Sequence, residues 1–155
     1  RKSEFAKVMQ RVIGFYPDNI ELYRQAFLHK SVIQDKNLKP FESNERLEFL
    51  GDAIISSIVA EYVYNAYPNK DEGFLTQMRS RIVSRESLNR LGKKVNLGDH
   101  IKYRASKNSN HSSLYGNVFE ALIGAIYLAR KMIKLHQENS PFKVVEEQTP
   151  SDEIV

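Results

Sequence analysis

Three carboxylates in the first half of the chain are spaced so that they share one face of a helix. Glu45, Glu48 and Asp52 stand at positions i, i+3 and i+7, which a step of about 100° per residue places on one stripe. Like charges one turn apart destabilise a helix, so one interpretation is a face turned to water near the positive end of the helix dipole. The same stripe becomes apolar at Ile55 and Val59. This favours a second interpretation, in which the acids lie at the end of a helix–helix contact.

A fourth carboxylate lies in a segment that is otherwise apolar. Residues 118–128 (VFEALIGAIYL) carry a single charge, at Glu120, and an apolar surface on every side predicts a buried helix. A buried carboxylate is protonated, paired with a cation or bound to a metal ion. A structural arginine partner is one alternative that the sequence leaves open.

A metal site is the other alternative for this carboxylate. Oxygen ligands from two helices suit a hard divalent cation such as Mg²⁺. Glu48 and Asp52 on one helix and Glu120 on the other are candidate ligands, and Asn117 stands one turn before Glu120. The pattern therefore predicts a site where two helices bring their oxygen atoms together.

The elements that must position these side chains are predicted to be helices. Apolar periodicity predicts a long helix from Asn44, as its N-cap, to about residue 66, before Pro68. Shorter helices are predicted over residues 5–13, 20–28, 71–83, 84–95 and 114–131, with Asp71 and Ser84 as N-caps. The core face of the long helix is predicted to consist of Leu47, Leu50, Ile54 and Ile58.

No alternating apolar run long enough for a sheet occurs before residue 140. The predicted fold class is therefore all-α, with several helices packed around a central buried helix. Basic residues follow the first acidic cluster and are candidates either for a phosphate-binding surface or for ordinary solvated charges. They are Arg79, Arg81, Arg85, Arg90, Lys93, Lys94, Lys102, Arg104 and Lys107.

The composition is that of a soluble domain with a modest excess of positive charge. The 155 residues are enough for one domain and a fragment of a second, and the net charge of +4 favours a polyanionic partner only weakly. Cysteine is absent, which excludes disulfides and thiolate metal sites and fits the reducing cytoplasm. No run of residues approaches the ~20 apolar positions of a membrane span, so we expect a cytoplasmic protein without a membrane partner.

Four segments together closely resemble the ribonuclease III family, over about residues 5–128. Residues 44–53 (NERLEFLGDA) are similar to the signature motif of that family. In the order of the family there follow residues 71–75 (DEGFL) and 116–128 (GNVFEALIGAIYL), and residues 26–31 (AFLHKS) resemble the end of an early helix. The chain is identified by this resemblance as a member of the family, as its catalytic domain over residues 1–132.

The resemblance implies an activity and a set of site residues. The implied enzyme is an Mg²⁺-dependent endonuclease, with Mn²⁺ as a substitute, that cuts double-stranded RNA during RNA processing. It leaves 5′-phosphate and 3′-hydroxyl ends with short 3′ overhangs. The implied metal ligands are Glu48, Asp52, Asn117 and Glu120. Asp52 and Glu120, with Glu45 and Glu72 as further acids of the cleavage valley, are the implied catalytic residues.

A symmetric dimer is implied as well, with Phe49 inserted into the partner subunit. Helical geometry supports this role, because Phe49 lies on neither the predicted core face nor the acidic stripe. A large aromatic side chain there has no reason to face water, so we predict that it is buried across a two-fold interface.

Two departures from the family pattern qualify these expectations. Asn117 stands where the family usually has aspartate, so the site is expected to bind metal more weakly. It also favours an alternative function, a catalytically silent RNA-binding or ribosome-associated relative. The tail, residues 133–155, contains Pro141 and Pro150. It is interpreted as a linker or as part of a double-stranded-RNA-binding domain, whose first strand residues 142–149 resemble.

Overall fold

Six α-helices make up the part of the chain that the computed structural model describes. It describes residues 3–33, 35–102 and 113–137, with side chains as far as residue 131. The only bridge between extended segments in these residues is an isolated one between Leu28 and Lys102, so the all-α prediction is confirmed. The helices are α1 (Glu4–Ile13), α2 (Ile20–Ala26), α3 (Glu45–Ala66), α4 (Glu72–Ile82), α5 (Arg85–Lys94) and α6 (Leu114–Gln137), with 3₁₀ turns at Lys30–Val32, Pro40–Glu42 and Gly98–His100.

Helix α6 lies at the centre of the fold. It packs most extensively on α3 and then on α5 and α2, while α3 also packs on α4. The core is built around α6, because its apolar side chains are the common partners of the other helices. The buried core cluster consists of Met9, Tyr23, Ala26, Phe27, Leu47, Leu97, Ile101, Leu114, Val118, Ala121, Leu122, Ala125 and Ala129.

The prediction that residues 118–128 are buried on every side is wrong for one face. Val118, Ala121 and Ala125 are fully buried, but Tyr127 is 46% exposed and Glu120 is half-buried. Helices α2, α3 and α5 cover only part of the circumference of α6 within one chain. An apolar sequence shows only that each face of a helix can be buried. Whether a given face is buried depends on whether another helix packs against it.

Two glycines allow α3 and α6 to cross with their backbones in close contact. A Cβ atom at Gly51 would lie 1.7 Å from the carbonyl oxygen of Glu120, and one at Gly124 would lie 2.4 Å from the carbonyl oxygen of Leu47. Only a residue without a side chain permits such an approach. Because Gly51 stands between Glu48 and Asp52, the crossing fixes these carboxylates beside Glu120.

The predicted core face of α3 is wrong in its second half. The buried positions of α3 include Leu47, Gly51, Ile55 and Val63, whereas Ile58 is 58% exposed. The antiparallel pairing of Gly51 with Glu120 and of Leu47 with Gly124 places position 58 beyond the start of α6. The buried face therefore turns toward α4, which packs on α3.

The two predicted caps of the shorter helices are confirmed. Asp71 Oδ1 accepts a hydrogen bond from the Phe74 amide at 2.9 Å, and Ser84 Oγ accepts one from the Ser87 amide at 3.3 Å. Each side chain satisfies an amide that the first turn of a helix leaves without a backbone partner.

Asn44 occupies the N-cap position of α3, but its side chain does not cap the helix as predicted. Its backbone is itself helical (φ −76°, ψ −6°), and the buried side-chain amide donates to the carbonyl oxygen of Ala26 at 3.2 Å. The Asn44 backbone amide also donates to the carbonyl oxygen of Leu28 at 2.9 Å. The residue therefore ties the start of α3 to the end of α2.

Two helix ends differ from the prediction. Helix α2 ends at Ala26, two residues early, because Leu28 joins the bridge with Lys102. Helix α6 continues to Gln137, because residues 132–137 contain no glycine or proline that would stop it. In the part of the chain that is described, no helix is long and apolar enough to span a membrane. The tail beyond residue 137, and the basic residues Arg104 and Lys107, lie outside the described residues.

Candidate functional site

A cleft of about 500 Å³ opens beside the crossing of α3 and α6. From α3 it receives Glu45, Glu48 and Asp52, and from α6 Asn117 and Glu120. The structure thus brings together the four residues predicted as metal ligands and one of the two further acids. The rest of the lining consists of Phe49, Val83, Arg85, Leu88 and Gly116.

The N-terminus of α6 is held in place by α5. The side-chain oxygen of Asn89 accepts a hydrogen bond from the Gly116 amide at 2.7 Å. A Cβ atom at Gly92 would lie 2.5 Å from the carbonyl oxygen of Tyr115, so the two backbones touch there. Because Asn117 follows directly, the α5–α6 contact positions its side chain at the cleft.

The carboxyl group of Glu120 is electrostatically the most perturbed in the cleft. Burial, together with the negative charges of Asp52 and Glu48, raises the pKa of Glu120 to about 7, against the opposing effect of Arg85. The charged form is disfavoured because the carboxylates repel one another in a partly desolvated site. A bound cation would relieve this repulsion, since it attracts all of them at once.

Glu48 and Glu45 differ in how their charges are compensated. Burial raises the pKa of Glu48, with the charges of Glu45 and Asp52 acting in the same direction and those of Lys30 and Arg85 against it. Glu45 forms an ion pair with Lys30, whose Nζ lies 2.8 Å from Glu45 Oε1. Both partners of that pair are about half exposed, so its contribution to stability is small.

The donor atoms of the cleft suit a divalent cation. Three carboxylates and the amide oxygen of Asn117 are the hard oxygen ligands that Mg²⁺ and Mn²⁺ prefer. In the described residues, no three acidic or histidine side chains lie together in a group that could hold a metal ion. The residues fit the cation in the chemistry of their donor atoms and in their placement on two facing helices.

Glu72 is not part of this cleft. It lies at the start of α4, exposed to solvent, where its Oε1 accepts a hydrogen bond from Thr76 Oγ1 at 2.7 Å. The predicted role of Glu72 in a cleavage valley therefore has no support from the geometry of a single chain. Phe49 lies at the edge of the cleft with 81% of its surface exposed, so no contact within one chain accounts for this ring.

Sequence reasoning did not single out Arg85 or the two glycines. Arg85 was one of several basic residues in the candidate surface, and nothing in its spacing separated it from the others. Gly51 could have been singled out from the sequence. A glycine inside a helix lowers the stability of that helix, so its presence between two acids indicates that another backbone approaches closely there.

The raised pKa of Glu120 makes a prediction for stability in the absence of metal. The folded chain holds the proton up to about pH 7, whereas an unfolded carboxyl group loses it near pH ~4.3. The folded state is therefore destabilised as pH rises through this window. With chelator present, Glu120→Gln should nearly match wild type in melting temperature at pH 4 and exceed it by a few degrees at pH 8. An equal difference at both pH values would contradict the assigned burial of charge.

Comparison with known proteins places this helical fold and its acidic cleft in a family. A family model described as Ribonuclease-III-like matches residues 19–137. Ribonuclease 3 of Bacteroides fragilis is 54% identical over 121 residues, and Ribonuclease 3 of Flavobacterium psychrophilum is 42% identical over 130 residues. The chain belongs to the ribonuclease-III-like family, as its sequence motifs predicted.

Solved structures agree with this assignment. The nuclease domain of ribonuclease III from Campylobacter jejuni superposes with a TM-score of 0.68 at 28% identity, covering 90% of this chain and 98% of that one. The matched sequence segments cover 77% and 83% of this chain but only 41% and 52% of the Bacteroides and Flavobacterium proteins. The chain thus corresponds to the nuclease domain and spans about half the length or less of these relatives.

Proposed function

We propose that this chain is the catalytic part of an endoribonuclease that hydrolyses phosphodiester bonds in double-stranded RNA, with Mg²⁺ as the cation and Mn²⁺ as a substitute. One observation carries the proposal. In a member of the ribonuclease-III-like family, Glu48, Asp52 and Glu120 line one cleft although they come from two helices. Such a cluster costs stability, because the charges repel, and the cost is explained if the cluster binds a cation and acts on RNA.

The residues of the cleft have different roles in holding the cation. A bound cation would neutralise negative charge on the reacting phosphate and lower the pKa of a water molecule. Asp52 and Glu120, on opposite sides of the crossing, would hold it from two directions, and Glu48 and Asn117 would complete the oxygen set. The glycine contact between α3 and α6 keeps both pairs at a fixed separation, which is the preorganisation that electrostatic catalysis requires.

The substrate class can be tested with three nucleic acids of one sequence. Wild-type protein should cut an RNA duplex in Mg²⁺ and leave single-stranded RNA and the corresponding DNA duplex intact, with 5′-phosphate ends and short 3′ overhangs on the products. Binding of the RNA duplex without any cleavage would instead support the catalytically silent relative, for which Asn117 is the one favourable feature.

We further propose that the active form is a two-fold dimer held together by Phe49. A cavity of about 640 Å³ lies beside this ring on the same face, lined by the side chains of Leu22, Leu47, Leu50 and Leu128 among others. In a two-fold arrangement the ring of each copy can enter the cavity of the other, so that one surface serves both subunits. The similar nuclease domain from Campylobacter jejuni has structural flexibility in a region that is involved in dimer formation.

The dimer proposal predicts a large effect of one charge. Phe49→Asp should raise the dimer dissociation constant by at least about a hundredfold, since each interface loses two buried rings worth ~2 kcal/mol apiece. Tyr62→Asp is the matched control, because Tyr62 is 63% exposed on the same helix and lies ~20 Å further along it. Sedimentation or light scattering over a concentration series measures both. A wild-type monomer at micromolar concentration, or an unaltered dimer in Phe49→Asp, contradicts the proposal.

Asn117 allows a test of the metal set itself. Asn117→Asp replaces the one neutral member of the proposed ligand set with a fourth carboxylate, so the Mg²⁺ concentration for half-maximal cleavage should fall. The same change increases repulsion in the empty site, so the melting temperature in chelator should fall slightly at pH 8. A Mg²⁺ titration of cleavage with both proteins measures the first effect. A higher Mg²⁺ requirement in the variant is the opposite of what we expect.

A further inference from the structure

Arg85 is the one cation among the described residues that line the acidic cleft. It is the first residue of α5 and is exposed to solvent. The Ser84 cap fixes the start of this helix, because Ser84 Oγ accepts a hydrogen bond from the Ser87 amide. The guanidinium is therefore carried on an ordered backbone at the rim of the cleft.

The guanidinium of Arg85 is close to the acids without being paired with one of them. Its positive charge partly offsets the rise in the pKa of Glu48 and Glu120 that burial and the neighbouring carboxylates cause. Yet within the described residues it forms none of the ion pairs shorter than 4.0 Å, whereas Glu45 has Lys30 at 2.8 Å. An arginine that lies beside four carboxylates and forms an ion pair with none of them keeps its hydrogen-bond donors available for a ligand.

An RNA strand entering the cleft supplies such a ligand. Its phosphates are repelled by the carboxylates that remain exposed, so a fixed positive charge at the rim favours their entry. A guanidinium presents donors in a planar fork that matches two phosphate oxygens at once. We propose that Arg85 binds a backbone phosphate of the RNA strand held in the cleft. This inference rests on the proposed function.

A second possible role for Arg85 is that of a counter-charge for the empty acids. A counter-charge would weaken cation binding and leave RNA affinity unaffected. A phosphate contact adds to RNA affinity and to its dependence on salt, because binding a phosphate displaces condensed counterions. The two roles therefore differ in the salt dependence of duplex binding.

The experiment compares wild type with Arg85→Gln, which removes the charge, and Arg85→Lys, which keeps it. Arg11→Gln is the matched control, since Arg11 is 73% exposed on α1 and does not line the cleft. Fluorescence anisotropy gives the affinity for an RNA duplex between 50 and 200 mM salt, with Ca²⁺ in place of Mg²⁺, and a gel confirms that the duplex stays intact. Calorimetry without RNA gives the affinity of each protein for the cation.

We expect Arg85→Gln to bind the duplex roughly tenfold more weakly, with a slope of log K against log salt that is shallower by about 0.9 for each phosphate that the variant no longer binds. Arg85→Lys should keep the slope, and Arg11→Gln should match wild type. Cation affinity without RNA should rise in Arg85→Gln under either role, because one positive charge has left the cleft, so the salt slope of duplex binding decides between the two roles. If Arg85→Gln binds the duplex with the affinity and the salt slope of wild type, this inference is overturned and the proposed function is not. Failure of wild type to bind the duplex overturns the proposed function and the inference together.

Discussion

Replacing Glu120 with glutamine is expected to slow the cleavage of duplex RNA by about a thousandfold or more. The amide keeps the shape of the side chain and removes a charged oxygen from the centre of the cleft. Charge stabilisation by a bound cation is worth several kcal/mol, and each ~1.4 kcal/mol corresponds to a factor of ten in rate. Duplex affinity should survive, because contacts with the phosphate backbone supply most of it.

The control for this variant removes the same charge from outside the cleft. Glu86 lies on α5, where its side chain is 89% exposed and forms an ion pair with Arg90 at 3.7 Å, so Glu86→Gln should cut at the wild-type rate. Single-turnover cleavage with protein in excess separates the chemical step from binding. A Glu120→Gln protein that cuts at the wild-type rate would remove Glu120 from the proposed site.

Replacing Gly51 with alanine is expected to have the largest effect on stability. The new methyl group would lie 1.7 Å from the backbone oxygen of Glu120, and no side-chain rotation can relieve a contact with backbone. Overpacking of a core costs ~1–3 kcal/mol and occasionally more, and we expect at least the upper end of that range. Any relaxation must move α6 away from α3, so Glu120 would separate from Asp52 and cleavage would fall as well.

Gly73 provides a matched control on α4. A Cβ atom at Gly73 would meet nothing closer than Asp71 Oδ1 at 3.7 Å, so Gly73→Ala fits the helix. It should stabilise the protein by about 0.5–1 kcal/mol, because alanine is the better helix former. Urea denaturation measures both variants. Equal free energies of unfolding for Gly51→Ala and wild type would show that α3 and α6 do not cross as closely as described.

Local signals in the sequence were sufficient for several features of this protein. Asp71 and Ser84 were predicted as caps and act as caps, because a cap depends only on residues two or three positions away. Acidic spacing on two helices, together with the resemblance, led to Glu48, Asp52 and Glu120, and one cleft receives all three. Periodicity was likewise enough for the all-α fold class.

Features that depend on distant partners could not be predicted in this way. Ile58 was assigned to the core, yet it lies beyond the start of α6 and is exposed. Asn44 was expected to cap α3, but its amide reaches the carbonyl of Ala26, 18 residues away in sequence. The position of Arg85 at the cleft depends on how α5 packs against α6, which periodicity within either helix does not encode.

The proposed function requires that the cleft between α3 and α6 uses a divalent cation to cut double-stranded RNA. The most direct test incubates wild-type protein with a labelled RNA duplex in Mg²⁺, and in parallel with a chelator in excess over all metal. We expect defined short products in Mg²⁺, none in chelator, and recovery of cleavage when Mg²⁺ is restored. An intact duplex in Mg²⁺, or cleavage that continues unchanged in chelator, would contradict the account.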